Sequence, residues 1–337
     1  MPMKMTLLMA SLSLAVSTAA AQANTRLLVN CFFGSGHQVC TDVIPAWIEE
    51  VETVTDGRVT ARILPKSVAP PPEQLAAVER GLADVAVQFN GLIQNRIQGP
   101  IVAMQPFVGV YDAEKMSVAL WETNREFFPD EFDSVHLLSQ FVISPGRLYS
   151  QTDTPINSLE ELASRKIWAL PGPLAEITKK LKAGVVSTPA VQSNEIISRG
   201  VVDGFLGVDA DALKSFQLMP YAKSNTHFAK PIYTTSFSMF INPNTWAEIS
   251  AEDQAAIEEI SGAKLAAAFG RAWDASSARA EAEYADVGIE VIEADPAFEA
   301  ALVEASAFVT EKWLTDAAAA GIDAEAALEF YKSRLAE

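Results

Sequence analysis

Cysteine, histidine and positive charge are all scarce in this 337-residue chain. There are two cysteines, three histidines, and 25 lysines and arginines against 43 acidic residues, for a net charge of −18. Such a chain repels nucleic acid and anionic lipid, so neither is expected as a partner. An anion bound here must be held by a locally placed cation. Cys31 and Cys40, with His37, His136 and His227, lack the spacing of a metal site. Gly-x-Ser-x-Gly, a phosphate loop and His-Glu-x-x-His are all missing, and no histidine has a nucleophile beside it in sequence. No catalysis and no cofactor are expected. No apolar run is long enough to span a bilayer.

What is present begins with Lys4, an apolar run from Leu7 to Val16 and the stretch STAAAQA. This is the pattern of a secretory leader cut after Ala23 or after Ala21, with no cysteine at the cut to carry a lipid. The expected product is exported and monomeric. It has about 314 residues, enough for two domains. In an oxidising compartment Cys31 and Cys40 form either a small-loop bridge or two buried thiols.

Arg26–Phe33 reads as a strand ended by Gly34-Ser35-Gly36. Val39, Val43, Trp47, Ile48 and Val51 recur at helical spacing up to Thr55-Asp56-Gly57, and Val59–Leu64 alternates as a strand. Strand, helix, strand predicts a βαβ unit and an α/β fold. The junction Arg80-Gly81-Leu82-Ala83-Asp84 returns downstream as Arg199-Gly200-Val201-Val202-Asp203, each time leading into a strand. Two copies of one helix-to-strand turn suggest two lobes of similar build. Val135–Ser144 reads as one long strand that crosses between them. From Ser250, a capping box and helix formers to Asp286 predict a helix of roughly 54 Å, long enough to lie across both lobes.

The centre of the chain is Ser144 to Pro171. Arg147 and Tyr149 open a strand, Ser158 and Glu161 mark a short helix, and Lys166–Leu170 is a buried-type strand. Gly146-Arg147, then Pro155-Ile156, Leu162 and Lys166-Ile167, together with Thr55-Asp56-Gly57-Arg58-Val59, Gly81 with Asp84, and Gly200-Val201-Val202-Asp203-Gly204, follow a familiar order. The pattern resembles the solute-binding proteins of tripartite ATP-independent periplasmic (TRAP) transporters over residues 26 to 330. It implies a two-lobed, hinged periplasmic binding protein that closes on a small organic acid and delivers it to the membrane subunits of a TRAP permease. Residues 24–143 with 238–270 would form one lobe and 144–237 with 271–337 the other, helix 250–286 spanning both. An exported subunit reporting to a sensor, or an exported enzyme, are the other readings.

The resemblance places Arg147 at a pocket position, where its fork can hold a carboxylate; an ordinary salt bridge is the alternative. It also exposes two departures. The family's Lys-Ile-Arg-Val-Pro carries its main carboxylate clamp where this chain has Trp168, and its Gln-Glu-Asn-Pro after Val-Asp-Gly is replaced by Phe205-Leu206-Gly207-Val208. Both changes remove polar contacts and add apolar ones. A charge-assisted hydrogen bond contributes about 1.5–3 kcal/mol of the roughly 8 kcal/mol that micromolar binding requires. The expected ligand is therefore a monocarboxylate, an aromatic acid or a zwitterion rather than a C4-dicarboxylate, with Trp168 facing it or lying in the core. Strand ends supply further candidates: Phe33, Ser35, Gln88, Asn90 and Asp209, with Tyr233 and Phe237. Loop and capping roles are the alternative for each.

Overall fold

The computed structural model describes residues 24–34 and 36–337; the leader and Ser35 lie outside the described residues. Two sheets organise the chain. In the first, β1 (Thr25–Asn30) runs parallel to β2 (Val59–Ile63) and β3 (Val85–Phe89), while β10 (Ser236–Ile241) is antiparallel to β3 and β4 (His136–Val142), in the order β2-β1-β3-β10-β4. The second is ordered β11-β9-β5-β8-β6-β7 and comprises β5 (Arg147–Ser150), β6 (Lys166–Ala169), β7 (Gly184–Val186), β8 (Gly204–Val208), β9 (Ser224–His227) and β11 (Glu290–Glu293). The crossover helices are α1 (Ile44–Val54), α2 (Gln74–Glu79) and α3 (Ala113–Phe127) on the first half, and α4 (Leu159–Ala163), α5 (Pro173–Lys180), α6 (Ser193–Ser198) and α7 (Ala210–Ser215) on the second.

Local chemistry sets the element ends. Asp112 caps α3 by accepting from Lys115 N at 2.8 Å, and Ser158 caps α4 by accepting from Glu161 N at 3.1 Å. The repeated junction has one job in both halves. Gly81 and Gly200 take positive φ, of 70° and 64°, where a side chain would be strained. The aspartate three residues on then ties down a neighbouring strand: Asp84 accepts from Leu28 N at 2.7 Å and Asp203 from Lys166 N at 2.9 Å.

The expected crossing strand is shorter than its apolar run. β4 stops at Val142, and Ile143–Gly146 crosses to the second sheet beside the returning segment before β10. Ile143 N donates to Thr235 O at 3.1 Å and Gly146 N to Tyr233 O at 2.9 Å. Two hydrogen-bonded connectors thus form a double hinge. Gly146 is required there, because a Cβ would fall 2.8 Å from the Gly207 backbone.

After α8 (Pro243–Glu248), the run read as one long helix is helical as α9 (Ala251–Ile260), α10 (Gly262–Glu281) and α11 (Tyr284–Val287). It breaks at Ser261, whose ψ of −146° is not helical. Tertiary bonds replace the helical ones: Trp47 Nε1 donates to Ser261 Oγ at 3.1 Å and Ser139 Oγ to the Gly262 carbonyl at 2.8 Å. α10 packs on α3 and β4 of the first half and on α7 of the second. α12 (Pro296–Ala319) follows and packs on α5. The sequence assigned all of 271–337 to the second lobe, but α13 (Ala324–Ala336) packs on α3 instead. Phe330 lies against Phe127 at 5.4 Å, and Arg334 pairs with Glu122 at 2.6 Å. Among the described residues no helix is long and apolar enough to cross a membrane.

Candidate ligand-binding cavity

A cavity of about 640 Å³ opens between the two halves, floored by the hinge segments. Its walls come from strand ends of both sheets, as α/β folds favour. Phe33 and Phe89 follow β1 and end β3, Tyr233, Thr235 and Phe237 lie on the returning connector and β10, and Gly207–Asp209 end β8. Trp273 of α10 and Phe308, Lys312 and Trp313 of α12 complete it. The interior is aromatic. Phe237 lies 5.7 Å from Phe33, 5.4 Å from Phe89 and 6.3 Å from Trp273, ring centre to ring centre.

Cys31 and Cys40 form a disulfide, with Cα atoms 6.0 Å apart, across the turn that presents Phe33 and His37. His37 stacks on Phe33 at 4.6 Å and reaches across the cavity to Asp211 of α7, Nε2 to Oδ2 at 3.6 Å. Burial lowers the pKa of this imidazole, and Asp211 opposes the shift. Asp209 caps α7 by accepting from Ala212 N at 2.6 Å and takes the Trp273 indole N–H at 3.2 Å. Burial, reinforced by Asp211, pushes its carboxyl up to about 7.

Of the residues singled out by sequence, Phe33, Trp168, Asp209, Tyr233 and Phe237 meet at this cavity. Trp168 borders it while exposing none of its own surface, and its indole N–H donates to Thr188 Oγ1 at 2.9 Å. It shapes the wall from within the core and offers no open ring face. Four others lie elsewhere. Gln88 is occupied internally, its amide donating to Pro71 O at 3.0 Å and Phe89 O at 2.9 Å and accepting from Leu75 N at 3.1 Å. Asn90 donates to Ser236 Oγ at 3.1 Å and accepts from Ser238 Oγ at 2.8 Å. Phe205 is core, 4.9 Å from the Tyr149 ring.

Arg147 does not border the cavity. Its guanidinium pairs with Glu281, contacts His227 Nδ1 at 3.2 Å and lies 4.9 Å from the Tyr111 ring centre. Its Nε is buried without a partner. The sequence reading missed Phe89, Trp273, His37, Met104, Gln105, Thr235, and the α12 residues. Only the aromatic type of some of them hinted at a role.

Two α/β halves on a double hinge, with an aromatic cavity between them, define a two-lobed binding protein. The sequence matches the model for bacterial extracellular solute-binding protein family 7 over residues 32–316, and the chain belongs to that family, the solute-binding proteins of TRAP transporters. It is a family of binding proteins rather than enzymes. The chain is 32% identical over 329 residues to a Comamonas testosteroni protein named outer membrane transporter protein TsaT, spanning 97% of this chain and 96% of the relative. A TRAP periplasmic solute-binding protein from Bordetella bronchiseptica, solved with bound (R)- and (S)-mandelate, is 32% identical and superposes with a TM-score of 0.83 over 92% of this chain and 98% of that one. At 20% identity and a TM-score of 0.80, a Rhodoferax ferrireducens protein solved with copurified benzoate shares the fold over 92% of this chain and 97% of its own.

Proposed function

We propose that this protein, exported by a leader ending at Ala23, captures a monocarboxylate with a flat apolar body and hands it to a TRAP permease without altering it. It works as a monomer, closing residues 24–143 with 238–270 and α13 onto the remainder about the hinge at 143–146 and 233–235. The observation that carries this reading is the lining: among the described residues the cavity wall holds Phe33, Phe89, Phe237 and Trp273, and no arginine. A C4-dicarboxylate would place two charges against these rings, and Asp209 and Asp211 would repel the second. An aromatic acid buries its ring there instead, with about 25 cal/mol gained per Å² of apolar surface covered. Lys312 of α12, among the described residues the one lysine or arginine on the wall, supplies the positive charge for the single carboxylate, while Arg147 stays paired with Glu281 outside the cavity. Mandelate and benzoate, seen in the Bordetella bronchiseptica and Rhodoferax ferrireducens proteins, are acids of this class.

Thermal-shift and calorimetric panels test the proposal. Aromatic monocarboxylates are expected to raise the melting temperature and bind at micromolar concentration. Stabilisation by succinate or malate but by no aromatic acid would overturn it.

A further inference from the structure

Two polar groups stand out in the aromatic cavity because neither has a partner. Gln105, 2% exposed, follows the segment 99–104, and its amide nitrogen donates to Ile101 O at 2.9 Å. That bond fixes the amide, so the atom left without a partner is the carbonyl Oε1, a pure acceptor. Thr235, 7% exposed, lies in the hinge, and its hydroxyl is likewise unpartnered. Both residues border the cavity. Their segments are tied together, Phe107 N donating to Pro231 O at 3.1 Å and Ser236 Oγ to Pro100 O at 2.9 Å, so they belong to one wall.

A buried polar atom left without a partner is costly, and native interiors rarely tolerate one. The type of atom says what would satisfy it. Gln105 Oε1 needs a donor and repels a carboxylate. Thr235 Oγ1 can donate or accept. A bare aromatic acid, whose only polar group is an acceptor, leaves Gln105 unanswered. A hydroxyl donates to Oε1 and keeps lone pairs for the threonine O–H. Neither residue carries charge, which suits a neutral hydroxyl better than an ammonium.

Resting on the proposed aromatic-acid reading of this cavity, we infer that Gln105 and Thr235 form a hydroxyl-reading subsite that selects hydroxylated aromatic monocarboxylates over their unsubstituted counterparts. The selection expected from one satisfied buried acceptor is about tenfold to a hundredfold in affinity.

The test compares matched pairs by calorimetry on the full-length mature protein: phenylacetate with mandelate, and benzoate with 3-hydroxybenzoate. Phenylglycine is added as the amine analogue. The hydroxylated member of at least one pair is expected to bind tenfold or more tightly. Gln105→Met and Thr235→Val keep side-chain volume and remove the polar atom. Each is expected to bring that preference, read as the ratio of the two affinities within a pair, below about threefold. Ligand-free melting curves show that each variant folds, and Thr235→Val, an isosteric change, stands if Gln105→Met does not. Equal binding within both pairs, a preference that survives in both variants, or tighter binding of phenylglycine than of mandelate would overturn the inference while leaving the aromatic-acid reading in place. Binding of none of these acids would remove the reading and the inference together.

Discussion

Arg147 of β5 and Glu281, in the last turn of α10, are an ion pair 134 residues apart in sequence, the arginine side chain 10% exposed and the glutamate 36%. The pair binds the second sheet to the helix that both halves share. Because the two partners differ in burial, removing one is not equivalent to removing the other. Glu281→Gln leaves a buried guanidinium whose Nε already lacks a partner, and is expected to cost about 2–4 kcal/mol. Arg147→Met leaves a carboxylate that water can reach and keeps the apolar stem, and is expected to cost less than about half of that. Denaturant unfolding of the two variants checks the order; a greater loss in Arg147→Met would show that the pair is not the asymmetric contact described.

Asp209 gives a pH dependence of defined sign. Its carboxyl is raised to about 7 by burial and by Asp211, above the ordinary value of 3.8 that it regains on unfolding. Between those values the folded protein holds a proton that the unfolded chain has released. This contribution to stability is therefore complete below about pH 4 and declines as pH rises toward 7, by about 1.4 kcal/mol per pH unit at most. An anionic ligand in the cavity meets the same group, so its affinity is also expected to fall as pH rises through 7. In Asp209→Asn both slopes should flatten, although the variant also loses one acceptor for Trp273. Melting temperatures and calorimetry from pH 5 to 8 test this; parallel curves for the two proteins would refute it.

The disulfide carries a third prediction. Cys31–Cys40 closes a loop of about ten residues, and loop-closure entropy assigns such a bridge about 2–3 kcal/mol. Reduction, or the Cys31→Ser, Cys40→Ser double change, is expected to lower the melting temperature by several degrees. It should weaken ligand binding more than it weakens the fold, since the bridged turn holds Phe33 and His37 at the cavity. Identical melting before and after reduction, with both thiols titrating as free, would count against it.

How much of this was readable in advance follows range of interaction. β1, α1 and β2 were legible because periodicity, Gly57 and local turns define them. The two Gly–Asp junctions were legible because each is a local unit, and the structure gives both aspartates the same partner, a neighbouring strand N–H. The break at Ser261 was not, since its bonds to Trp47 and from Ser139 to Gly262 reach across more than a hundred residues. The site divides in the same way. Phe33, Asp209 and Phe237 could be found as strand ends, but Gln88 and Asn90 sit at equivalent ends with their amides turned inward to satisfy neighbours. Gln105 follows a segment without periodicity, and Trp273 lies within a helix whose facing only the tertiary fold decides.

Trp168 is the sharpest test of that division, because the resemblance put an anion clamp at its position. The ring is fully buried, its strand pairs with Val186 and Phe205, and its indole N–H is satisfied by Thr188. An arginine here would bring a charge into a site where no carboxylate bonds the present side chain. Trp168→Arg is therefore expected to destabilise the fold by about 3–5 kcal/mol rather than to create a dicarboxylate receptor. Trp168→Phe keeps most of the volume and forfeits one hydrogen bond, about 1 kcal/mol, with little change in ligand preference. Unfolding curves measured together with succinate and aromatic-acid titrations separate the outcomes. A stable Trp168→Arg protein that gained succinate binding would mean that the position faces the ligand after all.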